Sequence, residues 1–148
     1  MSEIVRIFSD GACAGNPGKG GLGVLLMYKD KRKEISEGYK HSTNNRMELL
    51  AVIRGLEALK KKGLIIEVYS DSKYVVDSVN KKWVFNWEKA NFKERTNADL
   101  WIRLLELYRE HTITFNWVKG HASNENNNLC DKLAVSGRMG KNLMDDIY

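Results

Sequence analysis

IVRIFSDGACAGNPGKGGLGVLLMY, residues 4–28, sets two β-rich runs on either side of a stretch crowded with glycine. Ile4 to Ser9 is rich in Ile, Val and Phe, side chains that fit a pleated, half-buried surface, and it predicts a strand. Gly11, Gly15, Asn16, Pro17, Gly18, Gly20 and Gly21 predict a turn. Gly23 to Tyr28 predicts a second strand and Lys33 to Lys40 a third, more exposed one. Three strands joined by short turns form an antiparallel meander.

Downstream the period changes. Ser42 and Thr43 offer an N-cap for a helix over Asn44 to Lys62, and Leu49, Val52, Ile53, Leu56 and Leu59 recur on one helical face. Gly63 ends it. Leu64 to Tyr69 (LIIEVY) reads as a short central strand, and Asp71 and Ser72 open a helix from Lys73 to Val79. Asn80 to Thr96 mixes lysines and an arginine with Trp83, Phe85, Trp87 and Phe92. It predicts a short helix and a basic, aromatic protrusion with at least one tryptophan in the core. A helix follows over Leu100 to Glu110, started by Asp99. Ile113, Phe115 and Trp117 alternate with polar residues in a fifth strand, and the last helix ends near Arg138. The order implies parallel pairing of the later strands through crossover helices. The expected fold class is α/β: a five-stranded mixed sheet, three antiparallel strands then two parallel, with helices on both faces.

The chain has 148 residues, 43% of them hydrophobic and 29% charged, with a single proline. That fits one domain, residues 1–148, with its own core and argues against disorder. A net charge of +5 and a pI near 9.2 lean toward a polyanionic partner without deciding it. Cys13 and Cys130 match no zinc spacing and read as reduced thiols. Without a signal-peptide pattern or an apolar stretch long enough for a membrane span, a cytoplasmic location away from membranes is expected.

Four acids stand out: Asp10 at the end of a strand, Glu48 bordering the apolar face of its helix, Asp71 directly after an apolar strand, and Asp131 within the last helix. Each alone has an ordinary structural use, as a turn former, a helix-dipole partner, an N-cap or a solvated side chain. As a set they are different. Ligand sites in open α/β sheets form at the carboxyl ends of central strands, and carboxylates gathered there repel one another unless a cation neutralises them. All-oxygen ligands suit Mg²⁺ or Mn²⁺, and a two-ion carboxylate site serves in-line displacement at phosphorus.

Several segments resemble those of one family. DGACAGNPGKGGLG (Asp10 to Gly23), TNNRMEL (Thr43 to Leu49), YSDSKYV (Tyr69 to Val75), NADLW (Asn97 to Trp101) and WVKGHASNENNNLCDKLA (Trp117 to Ala134) are similar to motifs of the type 1 ribonucleases H and run in that family's order. The resemblance covers nearly the whole chain. It implies a Mg²⁺-dependent endonuclease that hydrolyses the RNA strand of an RNA–DNA hybrid and leaves 5′-phosphate and 3′-hydroxyl ends. Asp10, Glu48, Asp71 and Asp131 would hold two Mg²⁺ ions, with Mn²⁺ able to substitute. One ion would activate the attacking water and the other would stabilise the leaving oxygen. His121 would assist proton movement or product release. Backbone around Gly11 to Cys13 and the side chains of Asn16, Asn44 and Asn45 would sense the 2′-hydroxyl in the hybrid minor groove. His41, Thr43 and Asn97 would grip a DNA-strand phosphate, and Trp83 or Trp87 would pack along sugars beside the cations of the protrusion. A monomer with no obligate protein partner is implied.

The chain also departs from the family pattern. His41 stands where arginine is common, so hybrid binding is expected to be tighter at about pH 6 than at about pH 8. Asn128 stands where an acid is common. The protrusion is short, and Glu88 and Glu94 dilute its charge. Two rival readings keep part of the argument: a DNA-acting nuclease of the same fold, and a non-catalytic hybrid-binding module. The asparagine set speaks against the first, and the intact four carboxylates against the second.

Overall fold

A computed structural model describes residues 3–119 and 124–146. In chain order the elements are β1 (Ile4–Ala14), β2 (Gly18–Tyr28), β3 (Lys31–Ser42), α1 (Asn44–Glu57), β4 (Ile65–Ser70), α2 (Lys73–Asn80), α3 (Trp83–Lys89), α4 (Ala98–Tyr108), β5 (Thr112–Trp117) and α5 (Glu125–Arg138). The sheet order is β3-β2-β1-β4-β5. β1, β2 and β3 pair antiparallel, while β4 pairs parallel to β1 and to β5. This is the expected mixed sheet, and helices cover both faces.

Register explains the two faces. Ile7 lies opposite Leu26, and Phe8 opposite Leu25. Ile7, Leu22, Val24 and Leu26 point into the main core, where Met47, Leu49, Leu50, Val52, Ile53 and Leu56 of α1 are buried with them. Phe8 and Leu25 point to the other face, against Cys130 of α5. Each of these side chains contributes about 1.5–3 kcal/mol by leaving water. α1 begins at the predicted cap, with Thr43 Oγ1 accepting the Arg46 N–H at 3.2 Å.

The glycine-rich stretch departs from the expected turn. β1 runs on to Ala14 and β2 begins at Gly18, so only residues 15–17 turn. The glycines serve helix packing instead. A Cβ on Gly11 would lie 2.5 Å from the backbone of Met47 and Glu48 in α1. Cβ atoms on Gly21, Gly23 and Gly38 would strike the backbone oxygens of Ala134, Cys130 and Gly137 in α5. Both helices therefore approach the sheet more closely than side chains allow.

Three further expectations need correction. α1 stops at Glu57, with Ala58 as its C-cap, short of Lys62, because the three lysines from Lys60 add nothing to its buried face. Gly63 instead takes a left-handed turn (φ 73) and its N–H donates to the Glu110 carbonyl at 2.8 Å. In the protrusion, Val84 and Phe92 are the residues buried in the core. Trp83 is 43% exposed, and Trp87 is half-buried against Trp101. Trp117 is exposed, although Ile113 and Phe115 of its row are buried. Among the described residues no helix is long and apolar enough to cross a membrane.

Candidate active site

The β1/β4 ladder ends at Ser9 opposite Ser70, and the β4/β5 ladder at Ser70 opposite Trp117. Asp10 and Asp71 are the next residue on each chain. Asp10 is therefore mid-strand in β1, not at its end as expected from sequence. What ends there is its pairing with β4, and the two acids meet where the ladder opens.

Glu48 reaches the same place from α1. The Gly11 N–H, unpaired by β4, donates to Glu48 Oε1 at 2.8 Å and to Asp10 Oδ1 at 3.0 Å. The close approach of α1 over Gly11 makes this contact possible. One carboxylate oxygen from each of Asp10, Glu48 and Asp71 lies within 4.8 Å of the others. Asp131, half-buried on α5, stands outside this trio. It is close enough for its charge to act on Asp10, and α5 is brought in by Gly23 packing against Cys130.

The electrostatics of the cluster are unfavourable. Burial, then the charge of Asp71, then that of Asp131 push the Asp10 carboxyl up to about 8, against a lowering contribution from its contact with Glu48. Burial, with Asp10 and Asp71 nearby, drives Glu48 well above the usual carboxylate range. Asp71 Oδ1 is buried with no hydrogen-bond partner among the described residues. An orphaned buried acceptor beside two carboxyls that resist ionising is a donor set of hard oxygens suited to a divalent cation. The residues present fit Mg²⁺ or Mn²⁺ by this test.

Around the cluster, two linked groups form. Cys13 N–H donates to Asn44 Oδ1 at 3.0 Å, and Asn44 N–H donates to Asn16 Oδ1 at 3.1 Å. This interlock ties the β1–β2 turn to the start of α1 and leaves the two side-chain NH₂ groups as outward donors. Asn45 is exposed in the first turn of α1. The second group joins Thr43 and Asn97 through Arg46, whose N–H goes to Thr43 and whose Nη1 donates to Asn97 Oδ1 at 3.3 Å. His41 lies exposed at the end of β3. Trp83 lines a cleft with Tyr74, the hydroxyl partner of Asn97, and Lys81 Nζ lies 5.4 Å above its ring. His121 lies outside the described residues.

Sequence reasoning missed two residues. Arg46 is buried despite its charge, and it links the start of α1 to the start of α4. Its place two residues before Glu48 in TNNRMEL was the available signal. Trp117 donates its indole N–H to the Asp71 carbonyl at 3.1 Å, and Lys73 Nζ sits 4.8 Å above its ring. Its exposure is thus that of a residue bracing Asp71.

The match to known proteins covers the same features. The ribonuclease H family model matches residues 2–139. A ribonuclease H of Syntrophus aciditrophicus is 54% identical over 135 residues, spanning 88% of this chain and 78% of the relative. Ribonuclease HI of Haemophilus influenzae is 47% identical over 153 aligned positions, covering all of this chain and 98% of the relative. Among solved structures, LC9-RNase H1, described as a type 1 RNase H with the type 2 active-site motif, superposes with a TM-score of 0.84 at 28% identity. That match covers 93% of this chain and 73% of the other. Sequence and fold agree, and the chain belongs to the ribonuclease H family, in its bacterial type 1 branch.

Proposed function

We propose that this protein hydrolyses the RNA strand of RNA–DNA hybrids, acting as a single catalytic domain with Mg²⁺ and leaving 5′-phosphate and 3′-hydroxyl ends. The observation that carries the reading is the trio Asp10, Glu48 and Asp71. Three carboxylate oxygens lie within 4.8 Å, two of them on groups that resist ionising, and a cation among them relieves the repulsion and lets them ionise. Asp10, Glu48 and Asp71, with Asp131 at the margin, would hold two divalent ions. Bound there, such ions would supply Lewis-acid chemistry, easing loss of a proton from water and offsetting charge on the leaving oxygen.

The chain's own groups do the rest. The Glu48 carboxylate is held by the Gly11 N–H, and the Trp117 indole fixes the backbone of Asp71 through its carbonyl, so the stretch that carries each acid is anchored before a cation arrives. Gly11 and Cys13 spend their N–H groups on Glu48 and Asn44. Their carbonyls then remain as acceptors for a 2′-hydroxyl, which DNA lacks. Asn16 and Asn44, each with its oxygen accepting one backbone N–H, offer their side-chain NH₂ groups to the minor groove, and Asn45 adds an exposed amide. Thr43, Asn97 and His41 receive a DNA-strand phosphate. Trp83 and its attendant Lys81 flank the duplex further out. His121 would move a proton or release product.

A labelled hybrid, a DNA duplex and an RNA duplex, each incubated with Mg²⁺ and with chelator, test the proposal. The expected result is metal-dependent cleavage of the hybrid's RNA strand alone, abolished by Asp71→Asn. Cleavage of duplex DNA would favour the DNA-acting alternative, and binding without cleavage the non-catalytic one.

A further inference from the structure

The tail that follows α5 folds back across the sheet edge. The Lys40 N–H donates to the Met144 carbonyl at 2.9 Å, and the Met144 N–H donates to the Gly38 carbonyl at 2.8 Å. These bonds lay residue 144 alongside β3 in a parallel bridge with Tyr39. Two residues on, Asp146 enters the protein: its side chain is 5% exposed, and that of Arg46 is 6% exposed.

Arg46 Nε and Nη2 both donate to Asp146, each at 2.8 Å. Nη1 and Nη2 donate to Asp99 at 2.9 and 2.7 Å. Ser42 Oγ donates to the same Asp146 carboxylate at 2.6 Å. Every face of the guanidinium fork is thus fixed, half by the start of α4 and half by the tail. A planar fork held bidentately on two sides has one orientation.

That orientation matters to neighbours on the phosphate-gripping side. Thr43 follows Ser42 and caps α1 on the Arg46 N–H. Asn97 sits at φ 66, a left-handed backbone that asparagine adopts more readily than other non-glycine residues. Its side chain is clamped between Arg46 Nη1 and the Tyr74 hydroxyl, at 3.3 and 3.2 Å. Loss of Asp146 would leave buried Arg46 donors unpaired. The fork would then turn toward water and release Asn97 and the Ser42–Thr43 corner together.

We propose that Asp146 is a positioning residue for hybrid binding: through Arg46, the tail sets the geometry of the Thr43 and Asn97 pocket that receives a DNA-strand phosphate. The proposal rests on the hybrid-cleaving reading above. It predicts the opposite of simple electrostatics. Asp146→Asn removes a negative charge near a polyanion's binding surface, which by itself tightens binding.

The test is steady-state cleavage of a labelled hybrid by wild type, Asp146→Asn and Asp146→Glu in Mg²⁺. Ile113→Val, a core truncation at the far end of the β5 ladder, controls for lost stability. The expected result is a KM raised about 3- to 30-fold in Asp146→Asn, the range of coupling through a packed network. kcat should be unchanged, and Asp146→Glu should recover part of the loss. Ile113→Val, at a similar loss of melting temperature, should keep the wild-type KM. An Asp146→Asn enzyme with unchanged or lowered KM overturns the inference, as does a KM rise that Ile113→Val reproduces. Wild type that fails to cleave the hybrid at all overturns the functional reading itself, and this inference with it.

Discussion

Replacing Asp10 by Asn should make the metal-free protein more stable while removing its activity. Asp10 is 5% exposed, and its carboxyl is pushed up to about 8 by burial, Asp71 and Asp131. In an unfolded chain an aspartate titrates near about 4. The folded pKa is the higher one, so the native state holds the proton more tightly. Stability is therefore lost as pH rises from about 4 to about 8, and the loss is level on either side. At about pH 7 the chain has climbed roughly three pH units above the unfolded value, at about 1.4 kcal/mol each. The penalty is on the order of 4 kcal/mol. Asparagine carries no charge and keeps an oxygen for the Gly11 N–H, which donates at 3.0 Å. Urea unfolding in chelator should show Asp10→Asn ahead of wild type by about 2–4 kcal/mol at neutral pH. The gap should shrink toward zero near about pH 4 and narrow when Mg²⁺ stabilises wild type by mass action. A variant no more stable than wild type at neutral pH in chelator, or a gap indifferent to pH, would refute the reasoning.

Gly11→Ala should cost about 1–3 kcal/mol by overpacking, because its Cβ would meet α1 backbone at 2.5 Å. Activity should fall further than stability as Glu48 is displaced, which unfolding and cleavage assays on one preparation will show. Asn16→Ala removes the acceptor for the Asn44 N–H, a loss of about 0.5–1.5 kcal/mol. It should also lower the preference for hybrid over RNA duplex in a competition assay. His41→Arg should tighten hybrid binding and steepen the slope of log K against log salt by about 0.9, whereas an unchanged slope would show that position 41 meets no phosphate.

Periodicity made much of the fold legible. Alternation marked the strands, and the apolar stripe Leu49, Val52, Ile53 and Leu56 marked α1, since burial on one face leaves a trace in composition. Glycine leaves no such trace of its purpose. Gly11, Gly21 and Gly23 look like turn formers, yet their lack of a Cβ serves helices distant in sequence. The acidic trio was readable because acids after apolar strands are anomalous. Its geometry was not, since whether Asp10 ends a strand depends on where β4 stops pairing. Asp131 was grouped with the other acids from sequence, and the structure sets it at the margin. The place of Arg46 in TNNRMEL hinted at a role, but its partners Asp99 and Asp146 lie in separate segments that only the fold brings together.

Calorimetric titration of Mg²⁺ into the protein at neutral pH, repeated in two buffers of different ionisation heat, bears most directly on the carboxylate cluster. The Asp10 carboxyl is pushed up to about 8 and Glu48 is shifted in the same direction, so a cation that binds there releases protons at neutral pH. The account predicts saturable binding with a buffer-dependent heat that reports released protons, and both are lost in Glu48→Gln. Binding with no proton release, or binding that Glu48→Gln leaves intact, would contradict it.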